Sequence, residues 1–208
     1  MKQSVSRTVA SAIVLAALAG CSADLPTATL NSPAELRMSA SASAAKVFTV
    51  TSPAFRNGES FPALYACPVG YSPVIGGANR SPLLHWINEP RDTRSFAIVM
   101  DDPDAPIEFV PTGLFTHWIT WGINALTPTL PSGRDGAMVG TNDFGVNFYV
   151  GPCPPPNTGV HHYTFHVYAL SEALSLDAGA SRAAFDAAIA GKVLAEARLM
   201  GTVDTRMP

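Results

Sequence analysis

The sequence predicts a mainly β protein, an antiparallel sandwich with a late helix. Three observations carry that expectation. Apolar, aromatic and β-branched residues gather in short runs of strand length. Loops rich in Pro and Gly, 18 and 16 of the 208 residues, separate those runs where a Rossmann sheet would place regular helices. Only near the C-terminus does an apolar period of four replace the short runs.

The elements follow in order. Residues 46–50 alternate as Lys-Val-Phe-Thr-Val and open the first strand. Residues 95–100 form a continuous apolar run, the pattern of a strand buried on both faces. Residues 117–123 and 163–170 are aromatic and β-branched and read as two further strands. Proline and glycine mark loops at 53–73, 102–111, 128–136 and 151–159. Ser181 can cap a helix running to about Met200 and closed by Gly201, with Phe185, Ile189, Val193 and Ala197 forming one apolar face.

Composition narrows the function classes. With 47% hydrophobic and 14% charged residues the chain can bury a core, which excludes wholesale disorder. A formal charge of −3 removes the basic footprint of a nucleic-acid binder. Three cysteines are too few for a dense disulfide framework.

The N-terminus reads as an address. Lys2 and Arg7 precede an apolar run at 9–17, interrupted by Ser11, and Leu18-Ala19-Gly20-Cys21 follows. The run is too short for a bilayer core of ~30 Å and reads as the apolar segment of a signal peptide. Leu-Ala-Gly-Cys resembles a bacterial lipobox, which would make Cys21 the lipidated mature N-terminus; ordinary cleavage is the other reading. The expected organisation is a lipoprotein signal peptide at 1–20, a flexible small-residue tether at 21–45 and one domain at 46–208. Ser22 after the cysteine favours the outer membrane in a Gram-negative cell. Residues 1–20 carry two positive charges and no acid, so the remaining chain has a formal charge of −5.

Candidate chemistry lies at strand ends. Asp101-Asp102-Pro103-Asp104-Ala105-Pro106 leaves the sheet after the doubly buried strand, because proline cannot continue a central strand. Gly151-Pro152-Cys153-Pro154-Pro155-Pro156 is a stiff segment with few N–H donors, suited to walling a cavity. His161 and Tyr163 are two apart on a strand and face one way, and His117 opens another strand. Taken singly, the first segment is also a solvated turn and each histidine also a structural one; their convergence would make a site.

These motifs, in this order, resemble the phosphatidylethanolamine-binding protein family, most closely its bacterial Raf-kinase-inhibitor-like branch. The likeness runs from about Phe48 to the C-terminus. It includes Ser81-Pro82-Leu83-Leu84-His85-Trp86, Asp143-Phe144-Gly145 and Tyr168-Ala169-Leu170. The resemblance implies one large and one small antiparallel sheet with peripheral helices, including the C-terminal one. It implies a small pocket for phosphate-type groups such as phospholipid headgroups, formed by Asp102, Asp104, Pro106, His117, Gly151, Pro154, Pro155, His161 and Tyr163. Cys153, His162 and the loop 67–80 depart from the family pattern, and that loop could reshape or cover the mouth.

His117, His161 and the Tyr163 hydroxyl could give an oxyanion three donors. Asp102 then orients an imidazole; the alternative is that it meets the ammonium end of a headgroup. No cofactor or metal is expected, since His161 faces away from His162 and His166 on a strand. The expected partners are a small anionic ligand or headgroup and, through Cys21, a membrane. The chain is expected to be non-enzymatic. An envelope or secreted protease-inhibitor module and a thiol hydrolase using Cys153, His161 and Asp102 are the rivals. Cys67 and Cys153, in an exported chain, remain candidates for a disulfide that would remove the thiol.

Overall fold

The computed structural model describes residues 46–110 and 113–206. The expected signal peptide, Cys21 and the tether lie outside the described residues. Two antiparallel sheets form the sandwich. The small sheet has the order β1-β2-β5, from Thr49–Thr51 (β1), Leu84–Ile87 (β2) and Thr129–Leu130 (β5). The large sheet has the order β6-β4-β3-β7-β8. Its strands are Ser95–Asp102 (β3), Phe115–Asn124 (β4), Met138–Val139 (β6), Val160–Leu170 (β7) and Val193–Asp204 (β8).

Strand β3 is central, between β4 and β7, and all eight of its residues are buried. Its continuous apolar run is explained by its two partners. Phe96, Ile98 and Met100 join the core between the sheets with Trp86, Trp118 and Phe165. Ala97 and Val99 face the other way, onto Phe185 and Ile189 of the one α-helix among the described residues, Arg182–Ile189 (α1). The alternation continues into the two aspartates that end the strand. Asp101 lies on the helix side, where Arg182 Nη1 donates to both of its oxygens at 2.6 and 2.8 Å and Thr116 Oγ1 donates at 2.9 Å. Asp102 lies on the inner side and belongs to the site below.

The expected helix to Met200 is corrected. Ser181 does cap a helix, accepting from Ala184 N at 3.2 Å, but α1 ends at Ile189. Gly191 follows with φ of 74°, a left-handed conformation that stops an α-helix. Val193 and Ala197 therefore never reach the helical stripe. Ala197, Leu199 and Val203 recur with a period of two on β8 and are buried between the sheets, paired along β7 from Val160↔Asp204 to Leu170↔Val193. Gly201, expected as the helix terminator, lies mid-strand. A Cβ there would sit 2.7 Å from Phe61 Cδ2, so the missing side chain makes room for that ring.

Strand β8 is the last strand of its sheet, yet its outer side is occupied at Met200 and Thr202. Gly58 N donates to Met200 O, Phe61 N to Thr202 O and Thr202 N to Glu59 O, at 2.7–2.9 Å. The stretch 58–61, within the first long loop, thus runs along that part of the edge.

Candidate functional site

The ends of β3, β4 and β7 and the proline segment enclose a cavity of about 140 Å³. Asp102, Pro106, His117, Pro154, Pro155, His161 and Tyr163 line it. Asp104 and Gly151 do not. Asp104 turns outward: its Oδ2 accepts from the backbone N and the Nδ1 of His162, both at 2.8 Å, and its own N donates to Asp102 Oδ1 at 2.9 Å. Gly151 N donates to Asn79 Oδ1 at 2.9 Å, and a Cβ at Gly151 would sit 2.0 Å from Tyr65 O. The glycine permits close backbone approach behind the wall, and both residues shape the site without facing into it.

His117 is buried on β4, and its Nδ1 is 2.9 Å from Val150 O. A carbonyl only accepts, so Nδ1 carries a proton and the neutral ring presents the Nε2 lone pair. Burial lowers the His117 pKa, against the opposing pull of Asp102. The sign for stability follows. A folded-state pKa below the unfolded value means that the unfolded chain binds more protons near that pH, so stability falls as pH drops through the unfolded value of ~6.5. We expect the urea midpoint to decrease from pH ~7 to ~5, with a shallower decrease in His117→Gln; equal slopes in the two proteins would contradict this.

His161 is used differently from the sequence expectation. Both of its ring nitrogens are committed inside the protein: Nδ1 to Asp102 Oδ2 and Nε2 to Thr158 Oγ1, each at 2.7 Å. Thr158 Oγ1 also donates to Pro155 O at 2.8 Å. The Asp102 carboxylate and the Thr158 hydroxyl thus hold the His161 ring at both nitrogens in the cavity floor. Asp102 accepts at both oxygens, from Asp104 N and from His161. That geometry supports an orienting Asp102 over a contact with a headgroup ammonium.

Tyr163, fully buried on β7, stands between the two imidazoles, its ring centroid 5.2 Å from that of His117 and 6.1 Å from that of His161. Its hydroxyl lies beside the Asp102 carboxylate and the Cys153 backbone N–H and completes a well-formed hydrogen bond with neither. Burial first, then the Asp102 charge, raises its pKa far above the ordinary value, so the group stays a neutral donor.

Two residues that sequence reasoning passed over arrange this floor and mouth. Thr158 holds the second ring nitrogen of His161, and only its place just before Gly159 and the strand hinted at a capping role. Asn142 is buried. It donates to His117 O and Phe148 O and accepts from Phe144 N and Val146 N, which holds Phe144 over His117 at a ring separation of 5.3 Å. Phe109 and Phe144 line the cavity but are 64% and 42% exposed, so the mouth is aromatic and open to solvent.

Cys67 and Cys153 form a disulfide with Cα atoms 5.4 Å apart. A bridged cysteine has no thiolate, and the thiol-hydrolase rival loses its nucleophile. The loop 67–80, expected at the mouth, contributes no lining residue. It braces the proline wall from behind, through Cys67 N to Pro152 O at 3.1 Å and Ser72 Oγ to Pro154 O at 2.8 Å. His166 points to the opposite face, where Nδ1 meets Glu196 Oε1 at 2.6 Å, and His85 is exposed on β2.

A two-sheet sandwich with a small, mostly apolar cavity holding two histidines and a tyrosine defines a binding-protein scaffold. Comparison with known proteins assigns its class. Residues 51–204 match the family profile described as "Phosphatidylethanolamine-binding protein". A UPF0098 protein of Aquifex aeolicus is 41% identical over 163 residues, 74% of this chain and 87% of that protein. A Mycobacterium tuberculosis protein carrying the lipoprotein name LppC is 38% identical over 165 residues, 78% of this chain and 75% of that protein. The crystal structure of E. coli YbcL, described as a member of the mammalian PEBP family, is 32% identical. It superposes with a TM-score of 0.67 over 76% of this chain and 99% of that chain. The chain belongs to the phosphatidylethanolamine-binding protein family.

Proposed function

We propose that this chain is a non-enzymatic envelope lipoprotein whose cavity binds a small phosphate-type anion or phospholipid headgroup. The observation that carries the reading is the Tyr163 hydroxyl, a buried donor without a well-formed hydrogen bond, on a residue that lines the cavity together with His117 and His161. An unsatisfied buried hydroxyl costs about 1–3 kcal/mol, a cost that a bound oxyanion would relieve. The apolar walls of Pro106, Pro154 and Pro155 strengthen each polar contact by excluding water. Among the described residues no helix is long and apolar enough to cross a membrane, so attachment rests on the lipobox-like Cys21. The lipoprotein name of the mycobacterial relative supports that assignment.

The test is Tyr163→Phe. Removing one donor should weaken inorganic phosphate or phosphorylethanolamine binding about tenfold by calorimetry, since one lost hydrogen bond is worth about 1–1.5 kcal/mol. Stability in urea should stay level or rise slightly, because no folded-state bond is lost. Unchanged affinity in a normally folded variant would refute the site.

A further inference from the structure

Resting on that reading, we propose that the exposed rim formed by Phe109 and Phe144 is a second subsite, which holds an apolar chain on the same ligand whose phosphate enters the cavity. The ligand class is then an amphiphilic phosphate ester rather than a small hydrophilic one. Exposed aromatic surface is concentrated at this mouth. Of the ten phenylalanines three are exposed, and two of those, Phe109 and Phe144, line the cavity. Apolar side chains scattered singly over a surface need no explanation, whereas a patch gathered at a pocket mouth marks contact with something apolar. Ile107, exposed two residues before Phe109, adds apolar surface on the same loop.

Both rings are held by their surroundings. Phe109 N donates to Pro106 O at 2.9 Å, and the neighbouring Val110 is buried, so the loop is pinned beside the ring. Phe144 stands edge-on to Phe115 and His117, with ring centroids 4.7 and 5.3 Å away, on the turn that Asn142 fixes. An apolar surface already in place is covered by a ligand at small entropic cost. Charge favours the same occupant. Among the described residues no lysine or arginine lines the cavity, and Asp104 and Glu108 lie on the loop that carries Phe109. A second anionic group on the ligand would meet repulsion there. An ammonium, which aromatic faces also attract, finds Asp102 accepting at both oxygens and Asp104 committed to His162. An alkyl chain needs only the apolar area.

The experiment measures inorganic phosphate and then methyl, butyl and hexyl phosphate by calorimetry at one fixed pH. The full chain is held in an amphipathic polymer, which leaves no detergent monomer to compete. A fully buried methylene is worth about fourfold in affinity. The rim covers a chain on one side, so about twofold per methylene is expected, or about thirtyfold from methyl to hexyl phosphate. The heat-capacity change of binding should grow more negative along the series. Glycerol phosphate, of similar bulk but hydrophilic, should bind like methyl phosphate. Phe109→Ser, at an exposed position, should reduce the hexyl-to-methyl ratio to about sixfold, as half of the rim is lost. Taking the ratio within one variant cancels any loss common to both esters. Displacement of hexyl phosphate by phosphatidylethanolamine vesicles would identify a bilayer as the source of the chain. Displacement only by monomeric dihexanoyl phosphatidylethanolamine would identify a freed lipid; either supports the subsite, and displacement by neither overturns it. A flat series in which inorganic phosphate still binds overturns the apolar subsite and leaves the phosphate pocket standing. So does a ratio untouched by Phe109→Ser, or phosphorylethanolamine bound tighter than butyl phosphate. Binding of neither inorganic phosphate nor any ester overturns the pocket and the subsite together.

Discussion

Replacing Asp102 with alanine is expected to cost about 3–5 kcal/mol of stability and to abolish anion binding. Removing one member of a buried ion pair leaves the other charge without compensation. Here the abandoned group is the His161 ring, whose side chain is 1% exposed. Its Nδ1 loses its partner while Nε2 stays tied through Thr158 to Pro155, and Asp104 N also loses its acceptor. Asp102→Asn separates the charge from the space: it keeps the volume and an oxygen for Asp104 N, so its loss should be the smaller. Urea unfolding of the three proteins measures the effect. Alanine and asparagine variants both within about 1 kcal/mol of wild type would show that no ion pair holds this floor together.

Breaking the Cys67–Cys153 bridge is expected to be comparably damaging. The bridge closes a sequence separation of 86 residues, and a native disulfide of that kind contributes about 2–5 kcal/mol, chiefly by restricting the unfolded chain in the entropic account. The local effect is separate. Cys153 lines the cavity, and without the bridge the proline wall is tied to the loop 67–80 mainly by Ser72 Oγ to Pro154 O and Cys67 N to Pro152 O. The double variant Cys67→Ser/Cys153→Ser should therefore lower the urea midpoint and weaken phosphate binding, whereas Ser72→Ala alone should weaken binding with a smaller loss of stability. A midpoint unchanged by the double substitution, with oxidised wild type as reference, would remove the bridge from the account.

The large sheet was legible because its strands have unambiguous surroundings. Residues 95–100 are apolar on both faces because β3 has the sandwich core on one side and α1 on the other. The C-terminal strand was not legible: the fourfold spacing from Phe185 to Ala197 spans two elements, and Gly191, which separates them, looks like any tolerated glycine in a helix. Leu199 and Val203 carry the strand period, and it becomes visible only once Ala197 is reassigned to it. The gathering of Asp102, His117, His161 and Tyr163 was foreseeable from strand ends and family likeness. Their division of labour was not, because it depends on Thr158 and Val150, whose contributions are a loop hydroxyl and a backbone carbonyl. A carbonyl has no sequence signature.

The strip of chain at 58–61 that lies along β8 bears on how this protein behaves when crowded. A twelve-residue border strand with free amides is a template onto which a second molecule can extend the sheet, the route by which many β-proteins polymerise. In this chain that template is capped at Met200 and Thr202 by the protein's own backbone, and the missing side chain of Gly201 leaves room for Phe61 and Phe55 beside it. Molecules concentrated side by side on a surface can then collide through their outermost strand without stacking into fibrils, and loosening the strip would remove that safeguard.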